Sequence, residues 1–165
     1  MSPRSFSDVD FLVFPTVLPA YQCHHRPERR LEMRTMIKTK SVFSPIEPRK
    51  DGLRILVARF RGRGMRASRF DVWMANIGPS EKLLRAFQSG LVGWGEFSRR
   101  YRKEMHESDT IDQRNPTIKN HGQKFTLRLL QTLGQRSTVT LLCHCAEDEP
   151  HCHRHILRAV LEGRI

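Results

Sequence analysis

Three cysteines, three histidines and an arginine stand close together near the end of the chain, on both sides of a short acidic loop. Residues 143–145 read Cys-His-Cys, and residues 151–154 read His-Cys-His-Arg. Thiolates act as nucleophiles and metal ligands, imidazoles act as bases and metal ligands, and a guanidinium group binds anions. This stretch is therefore the candidate site, and its chemistry depends on the elements that hold it.

Two elements position these residues. The segment Val139–Cys143 is a short apolar run, typical of a buried strand. The acidic residues 148–149 followed by Pro150 predict a helix start, because proline is tolerated in a first turn and a carboxylate suits a helix N-terminus. Residues 152–154 would then lie in the first turn, where unpaired N–H groups lower the pKa of a thiol. Open α/β sheets bind ligands where their strands end. The predicted catalytic residues are Cys143, Cys152, His153 and Arg154.

Each of these residues also has an ordinary structural interpretation. A cysteine in an apolar strand is usually a small core residue, which would explain Cys143. Cys152 and His153 extend an apolar helix face and could belong to the core. Arg154 could pair with the carboxylates of residues 147–149. The clustering of all these residues favours a site over plain packing.

A second basic stretch follows the strand predicted over residues 53–59. Residues 60–66 read Phe-Arg-Gly-Arg-Gly-Met-Arg, and residues 59–66 are called the arginine loop below. Glycines let a backbone approach a ligand closely, and guanidinium groups bind phosphate in a bidentate manner. The alternative is a solvated loop with surface arginines, since no known phosphate-loop spacing is met. The predicted phosphate-binding residues are Arg59, Arg61 and Arg63.

The remaining patterns predict one α/β domain with a small, mostly parallel sheet flanked by helices. The predicted strands span residues 36–43, 53–59 and 139–143, and the predicted helices span residues 70–77, 81–88, 94–107, 117–133 and about 150–162. The long helical stretch between the second and third strands suits a crossover connection. In the fourth helix the residues predicted to face inward are Ile118, Phe125, Leu129 and Leu133.

The chain is strongly basic, with 29 Lys and Arg against 17 Asp and Glu and a formal net charge of +12 over 165 residues. Such a charge favours a polyanionic partner, such as a nucleotide or nucleic acid. Four cysteines, three of them crowded near the C-terminus, do not resemble a disulfide framework and indicate a reducing cytoplasm. No apolar run approaches the length of a membrane span.

Residues 1–35 differ from the rest of the chain. They contain several prolines and little periodicity, and they predict a poorly ordered or irregular extension, with the α/β domain over residues 36–165. The apolar segment 11–20 holds two prolines and follows acidic residues, unlike a signal peptide. An extension of this kind is what a start codon placed upstream of the native one would produce.

Taken together, these motifs resemble the YeaO-like branch of the family called domain of unknown function 488. The resemblance begins with Ile-Lys-Thr-Lys at residues 37–40, includes Asp-Gly-x-Arg-x-Leu-Val-x-Arg at residues 51–59 and closes with Cys-His-Arg at residues 152–154. It covers about residues 36–162 and implies an α/β fold, a cytoplasmic bacterial or archaeal protein and no established reaction. Two departures stand out. Family members tend to carry Pro-Arg-Gly where this chain has Gly62 before Arg63, and many YeaO-like members lack the final Cys-His-Arg.

Three functions are compatible with these residues. The first is an enzyme acting on a phosphate-bearing nucleotide or nucleic acid, with the arginine loop binding phosphate and the Cys152 thiolate or an imidazole as nucleophile or base. The second is a non-catalytic nucleic-acid-binding module. The third is a metal site, with zinc as the expected ion. Its ligands would be Cys143, Cys145, Cys152 and His153. The enzyme is preferred if the strand ends bring the arginine loop and the thiols together.

Overall fold

The computed structural model describes residues 36–106 and 123–165, which share one four-stranded sheet. The strands are β1 (Ile37–Ser41), β2 (Leu53–Leu56), β3 (Val72–Trp73) and β4 (Val139–Cys143). They lie in the order β1-β4-β2-β3, and every pairing is parallel. The predicted α/β class with a parallel sheet is therefore confirmed. The extension predicted over residues 1–35 lies outside the described part of the chain.

The last strand in the sequence, β4, lies inside the sheet between β1 and β2. Cys143 pairs with Ser41 of β1, and Leu142 pairs with Leu56 of β2. All residues of β4 are buried, as expected of a parallel strand with neighbours on both sides and cover on both faces. Because parallel strands end at the same edge of a sheet, the segments that follow β1, β2 and β4 meet at one edge, called the carboxyl edge below.

The helices of the described residues are α1 (Pro48–Asp51), α2 (Glu81–Gln88), α3 (Trp94–His106), α4 (Lys124–Arg136) and α5 (His153–Leu161). Helices α2 to α5 cover one face of the sheet and share one apolar cluster with it. The opposite face has a smaller cluster around Leu56 and Leu142, with Met65 of the arginine loop packed against it. Across residues 36–106 and 123–165, no helix combines the length and apolarity needed to cross a bilayer.

The helix predicted over residues 70–77 is wrong. The segment contains β3 followed by a short 3-10 helix, Ala75–Ile77. Asp71 explains the difference, because its carboxylate accepts the backbone N–H of Arg54 at 2.8 Å and the Arg54 guanidinium at 2.6 Å. These bonds hold the chain extended beside β2. The helical spacing of the apolar residues is overridden by this tertiary contact.

The inward face predicted for the fourth helix is wrong at two positions, since Phe125 and Leu129 are 69% and 51% exposed. Leu133 is partly buried and packs against the core, as predicted. The helix turns a different face to the core. The Gly134 carbonyl accepts the N–H of Met36, just before β1, at 2.7 Å. Ile118 lies outside the described residues. The buried residues of α4 are Leu127, Leu130 and Gly134.

Candidate active site

Three thiols and one imidazole converge at the carboxyl edge, and the four residues Cys143, Cys145, Cys152 and His153 are called the thiol cluster. The Cys143 Sγ lies 3.5 Å from the Cys145 Sγ and 3.9 Å from the His153 Nδ1. The ligand atoms of Cys143, Cys152 and His153 lie within 4.8 Å of one another, and all three residues are buried. Cys145 is partly exposed. The structure thus brings together the whole predicted metal-ligand set and three of the predicted catalytic residues.

The helix that carries half of this cluster begins later than predicted. Cys152 is the N-cap of α5, in an extended conformation with φ −117° and ψ 134°, and the helix itself starts at His153. Glu149 accounts for the delay, because its side chain accepts the N–H of His151 at 2.8 Å and closes a local turn. Pro150 lies inside that turn. Cys152 therefore stands just before the first turn of the helix, and His153 lies within it.

His153 is held in one orientation by the backbone that follows β2. Its Nε2 lies 3.0 Å from the carbonyl oxygen of Val57. A carbonyl can only accept, so Nε2 carries the proton and Nδ1 turns its lone pair toward Cys143. The ring of Tyr101 packs edge-on at 5.7 Å, and the Tyr101 hydroxyl donates to the Ile77 carbonyl at 2.5 Å. Burial lowers the pKa of His153, which leaves a neutral ring able to accept a proton or bind a metal.

The thiol cluster favours one thiolate, at Cys143. Side-chain hydrogen bonding with Cys145 and Cys152 holds the pKa of Cys143 well below the ordinary value of a thiol. The same hydrogen bonds raise the pKa of Cys145 and of Cys152, because each is held as a donor to Cys143. These opposite pKa shifts favour Cys143 over Cys152 as the thiolate.

Arg154 acts on the backbone of the loop after β4. It is completely buried, and its guanidinium donates to the carbonyl oxygens of residues 145–147 at 2.6 to 3.3 Å. Within residues 36–106 and 123–165 it forms no ion pair with the carboxylates of residues 147–149, and its Nε has no partner. The Glu147 carboxylate instead accepts the N–H of Ser41 at 2.6 Å. Arg154 thus fixes the loop that carries Cys145 and adds a positive charge near the thiolate.

The arginine loop reaches the same edge and contacts the loop of the cysteines. His144, which stands between Cys143 and Cys145, has its Nε2 3.0 Å from the carbonyl oxygen of Arg61. Gly62 has a φ of +85°, and a Cβ there would lie 3.3 Å from the His144 Nε2. Glycine is therefore the residue that suits this close approach. The contact arises because β2 and β4 are neighbours and both loops leave the same edge.

The three predicted phosphate-binding arginines have different surroundings. Arg59 is half-buried and donates to a backbone carbonyl after β3 at 3.3 Å. Arg61 is exposed, donates to the carbonyl of Met65 at 2.9 Å and lies 5.6 Å from the ring centroid of Phe70. Arg63 is exposed, and the described part of the chain offers it no hydrogen-bond partner. Arg61 and Arg63 are the two whose donors face solvent.

The sequence predictions missed one residue of this edge and gave another no role. His144 belonged to the predicted cluster without a role of its own, and in the structure it joins the two loops. Phe43 lies just after β1, is 68% exposed and has its ring centroid 6.1 Å from that of His144. No sequence pattern marked Phe43, because the contact joins residues far apart in the chain.

Comparison with known proteins gives the following similarities. The family model DUF488-N3a, described as "Active DUF488-N3 subclade", matches residues 37–165. The chain is 27% identical over 132 residues to the uncharacterized protein Rv3073c of Mycobacterium tuberculosis (strain ATCC 25618 / H37Rv), covering 79% of this chain and 97% of that protein. It is 36% identical over 77 residues to the uncharacterized protein YeaO of Escherichia coli (strain K12), covering 44% of this chain and 66% of that protein. No solved structure matches.

Proposed function

The chain belongs to the DUF488 family, and from that premise we propose that it is an enzyme acting on a phosphate-bearing substrate, a nucleotide or nucleic acid. Cys143 is the nucleophile, His153 is the base, and Arg61 and Arg63 bind the phosphate. The observation that carries this proposal is the contact between the two loops, where the His144 imidazole meets the Arg61 carbonyl at 3.0 Å. The description of the matching subclade as active agrees with a chemical role.

The thiol cluster supplies a nucleophile that is ionised before the substrate arrives. Two thiol donors stabilise the Cys143 thiolate, so no base has to remove its proton first. The thiolate attacks an electrophilic carbon or phosphorus of the substrate, and the leaving group departs with the electrons of the broken bond. Water then cleaves the covalent intermediate and regenerates the thiolate.

His153 is suited to the second step. Its Nδ1 lies 3.9 Å from the Cys143 Sγ and carries a lone pair, since the Nε2 proton is committed to Val57. A neutral imidazole in this position accepts the proton of the attacking water. Arg154 is a positioning residue, because all its hydrogen bonds hold the loop of Cys145.

The arginine loop supplies the phosphate contact. Arg61 is held by the Met65 carbonyl and lies over the Phe70 ring. Its side chain therefore loses less conformational entropy when it binds phosphate. Arg63 presents a free guanidinium fork that matches phosphate oxygens. The formal net charge of +12 draws polyanionic substrates to the surface.

Thiol alkylation with iodoacetamide tests the nucleophile. At about pH 5 ordinary thiols, with pKa values near 8.5, are almost entirely protonated, so Cys143 should be labelled before Cys23, Cys145 and Cys152 in peptide mass spectrometry. Cys143→Ser should abolish the fast labelling and leave thermal unfolding unchanged within a few degrees. Equal labelling of the four cysteines, or fast labelling that survives in Cys143→Ser, contradicts the proposal.

Metal binding is a second candidate function, favoured by a separate observation. The ligand atoms of Cys143, Cys152 and His153 lie within 4.8 Å of one another, with the Cys145 sulfur 3.5 Å from that of Cys143. Three sulfurs and one imidazole form a zinc-type ligand set, and the hydrogen bond to Val57 orients the imidazole as an outer-sphere partner would.

Elemental analysis of protein purified without chelators separates the two candidates. Stoichiometric zinc, together with thiols that alkylate only after a chelator is added, supports the metal site. Added Co²⁺ should then give sulfur-to-cobalt absorption that weakens in His153→Ala. Protein that contains no zinc and gives no such absorption with Co²⁺ contradicts it.

A further inference from the structure

The carboxyl edge exposes a large aromatic side chain beside His144. Phe43 is 68% exposed, and its ring packs against His144 with a centroid distance of 6.1 Å and an interplanar angle of 34°. The residue lies just after β1, next to the loop that follows β4, because β1 and β4 are neighbours. Most of the ring is therefore open to solvent.

The loop that carries Phe43 is held by charged side chains on both sides. The Arg69 guanidinium donates to the carbonyl oxygens of Val42 and Ser44, the Nε bond to Val42 measuring 2.8 Å. The Glu147 carboxylate accepts the N–H of Ser41 and the hydroxyl of Ser44, both at 2.6 Å. A loop fixed in this way keeps the ring in solvent, and it reduces the conformational entropy that a ligand would have to overcome.

The arginine loop contacts His144, the residue against which the exposed ring packs. His144 connects Phe43 to the arginine loop through the Arg61 carbonyl, and the guanidinium groups of Arg61 and Arg63 are exposed. An aromatic face beside a row of cations is the combination that binds single-stranded nucleic acid, because bases stack on the ring while phosphates contact the cations.

We infer that Phe43 and His144 form a stacking site for an unpaired nucleobase, whose phosphate is bound by Arg61 and Arg63. The His144 backbone links this stacking site to Cys143 and Cys145 of the thiol cluster. This inference rests on the proposed function and deepens it, because it restricts the substrate to single-stranded nucleic acid or a nucleotide with a free base.

Fluorescence anisotropy with a labelled single-stranded oligonucleotide of about ten nucleotides tests the site, with the matching duplex and inorganic polyphosphate as competitors. Phe43→Ala should weaken oligonucleotide binding about 5- to 150-fold, the range that base–aromatic stacking contributes per base. Phe125→Ala is the matched control, because Phe125 is 69% exposed but lies on α4. It should leave the affinity unchanged.

The salt dependence of oligonucleotide affinity distinguishes the contribution of the Phe43 ring from that of the arginines. Phe43→Ala should leave the slope of log affinity against log salt unchanged, whereas Arg63→Gln should reduce its magnitude by about 0.7, the value for one lost phosphate contact on a single strand. Equal competition by polyphosphate and by the unlabelled single strand, or an unchanged affinity in Phe43→Ala, overturns the stacking site and leaves a purely electrostatic surface. Absence of oligonucleotide binding at low salt overturns it as well.

Two measurements on the unmodified protein, oligonucleotide binding and the selectivity of thiol alkylation, distinguish this inference from the proposed function. Base-dependent binding in a protein whose four cysteines alkylate equally would support the stacking site and contradict the enzyme, leaving a non-catalytic nucleic-acid-binding module. Selective alkylation of Cys143 without base-dependent binding would support the nucleophile and overturn the stacking site.

Discussion

Replacing Cys145 by alanine tests why Cys143 ionises before the other thiols. The two sulfurs lie 3.5 Å apart, and the Cys145 thiol is the leading cause of the lowered pKa of Cys143. A hydrogen bond to a charged group contributes about 1.5–3 kcal/mol, and a thiol is a weak donor, so the low end of about 1.5 kcal/mol applies. One pKa unit corresponds to about 1.4 kcal/mol. Cys145→Ala should therefore raise the pKa of Cys143 by about one unit.

The assay is the rate of Cys143 alkylation as a function of pH, resolved by peptide mass spectrometry. The midpoint of the profile reports the pKa, whereas the plateau at high pH reports access to the sulfur. Cys145→Ser keeps a hydrogen-bond donor at the same position and should shift the midpoint less than Cys145→Ala. A midpoint that stays in place or moves downward in Cys145→Ala would refute the role of the thiol donor, even if the plateau changes.

Three further predictions concern the elements around the site. Gly62 and Gly64 both have a positive φ, so alanine at either should cost about 1–2 kcal/mol of unfolding free energy in denaturant titrations. Only in Gly62→Ala would the added Cβ contact His144, so only that variant should also lose oligonucleotide affinity. An equal loss of affinity in both variants would contradict the contact. Because the pKa of His153 is lowered in the folded protein, the unfolded chain binds a proton first as the pH falls through about 6.5, and stability should be lost below that pH. His153→Gln should flatten this part of the curve of melting temperature against pH, and an unchanged curve would exclude His153 as its source. Arg154→Lys keeps the charge but cannot donate hydrogen bonds to all the carbonyls of residues 145–147 at once. Its free energy of unfolding in urea titrations should therefore fall by about 2 kcal/mol, and unaltered stability would count against the positioning role.

Much of the fold follows from local sequence patterns. The apolar run Val139–Cys143 predicted a buried strand, and that strand is buried and pairs with neighbours on both sides. The resemblance to the YeaO-like branch is confirmed by the family match over residues 37–165. The short strand β3 could not be predicted from such patterns, because the ion pair between Arg54 and Asp71 holds this segment extended beside β2. The face of α4 was also out of reach, since Phe125 is apolar and yet exposed.

The site could be predicted in position but not in detail. Cysteines at a strand end and at the start of the next helix had to meet at the carboxyl edge, because that edge gathers the segments that follow parallel strands. The choice of Cys143 over Cys152 as the thiolate depends on sulfur–sulfur distances that no spacing rule contains. The exposed ring of Phe43 beside His144 depends in the same way on the neighbourhood of β1 and β4 in the sheet.

Protection of Cys143 from alkylation by a bound oligonucleotide tests the central claim, that the Cys143 thiolate and the arginine loop bind one substrate. A single-stranded oligonucleotide, added during iodoacetamide labelling at about pH 5, where an ordinary thiol is protonated, should slow the labelling of Cys143. The protection should be lost in the Arg61→Gln, Arg63→Gln double variant. The Arg128→Gln, Arg136→Gln variant removes the same charge from α4 and should keep the protection. Labelling of Cys143 that is the same with and without saturating oligonucleotide, or protection that survives loss of Arg61 and Arg63, would contradict the account.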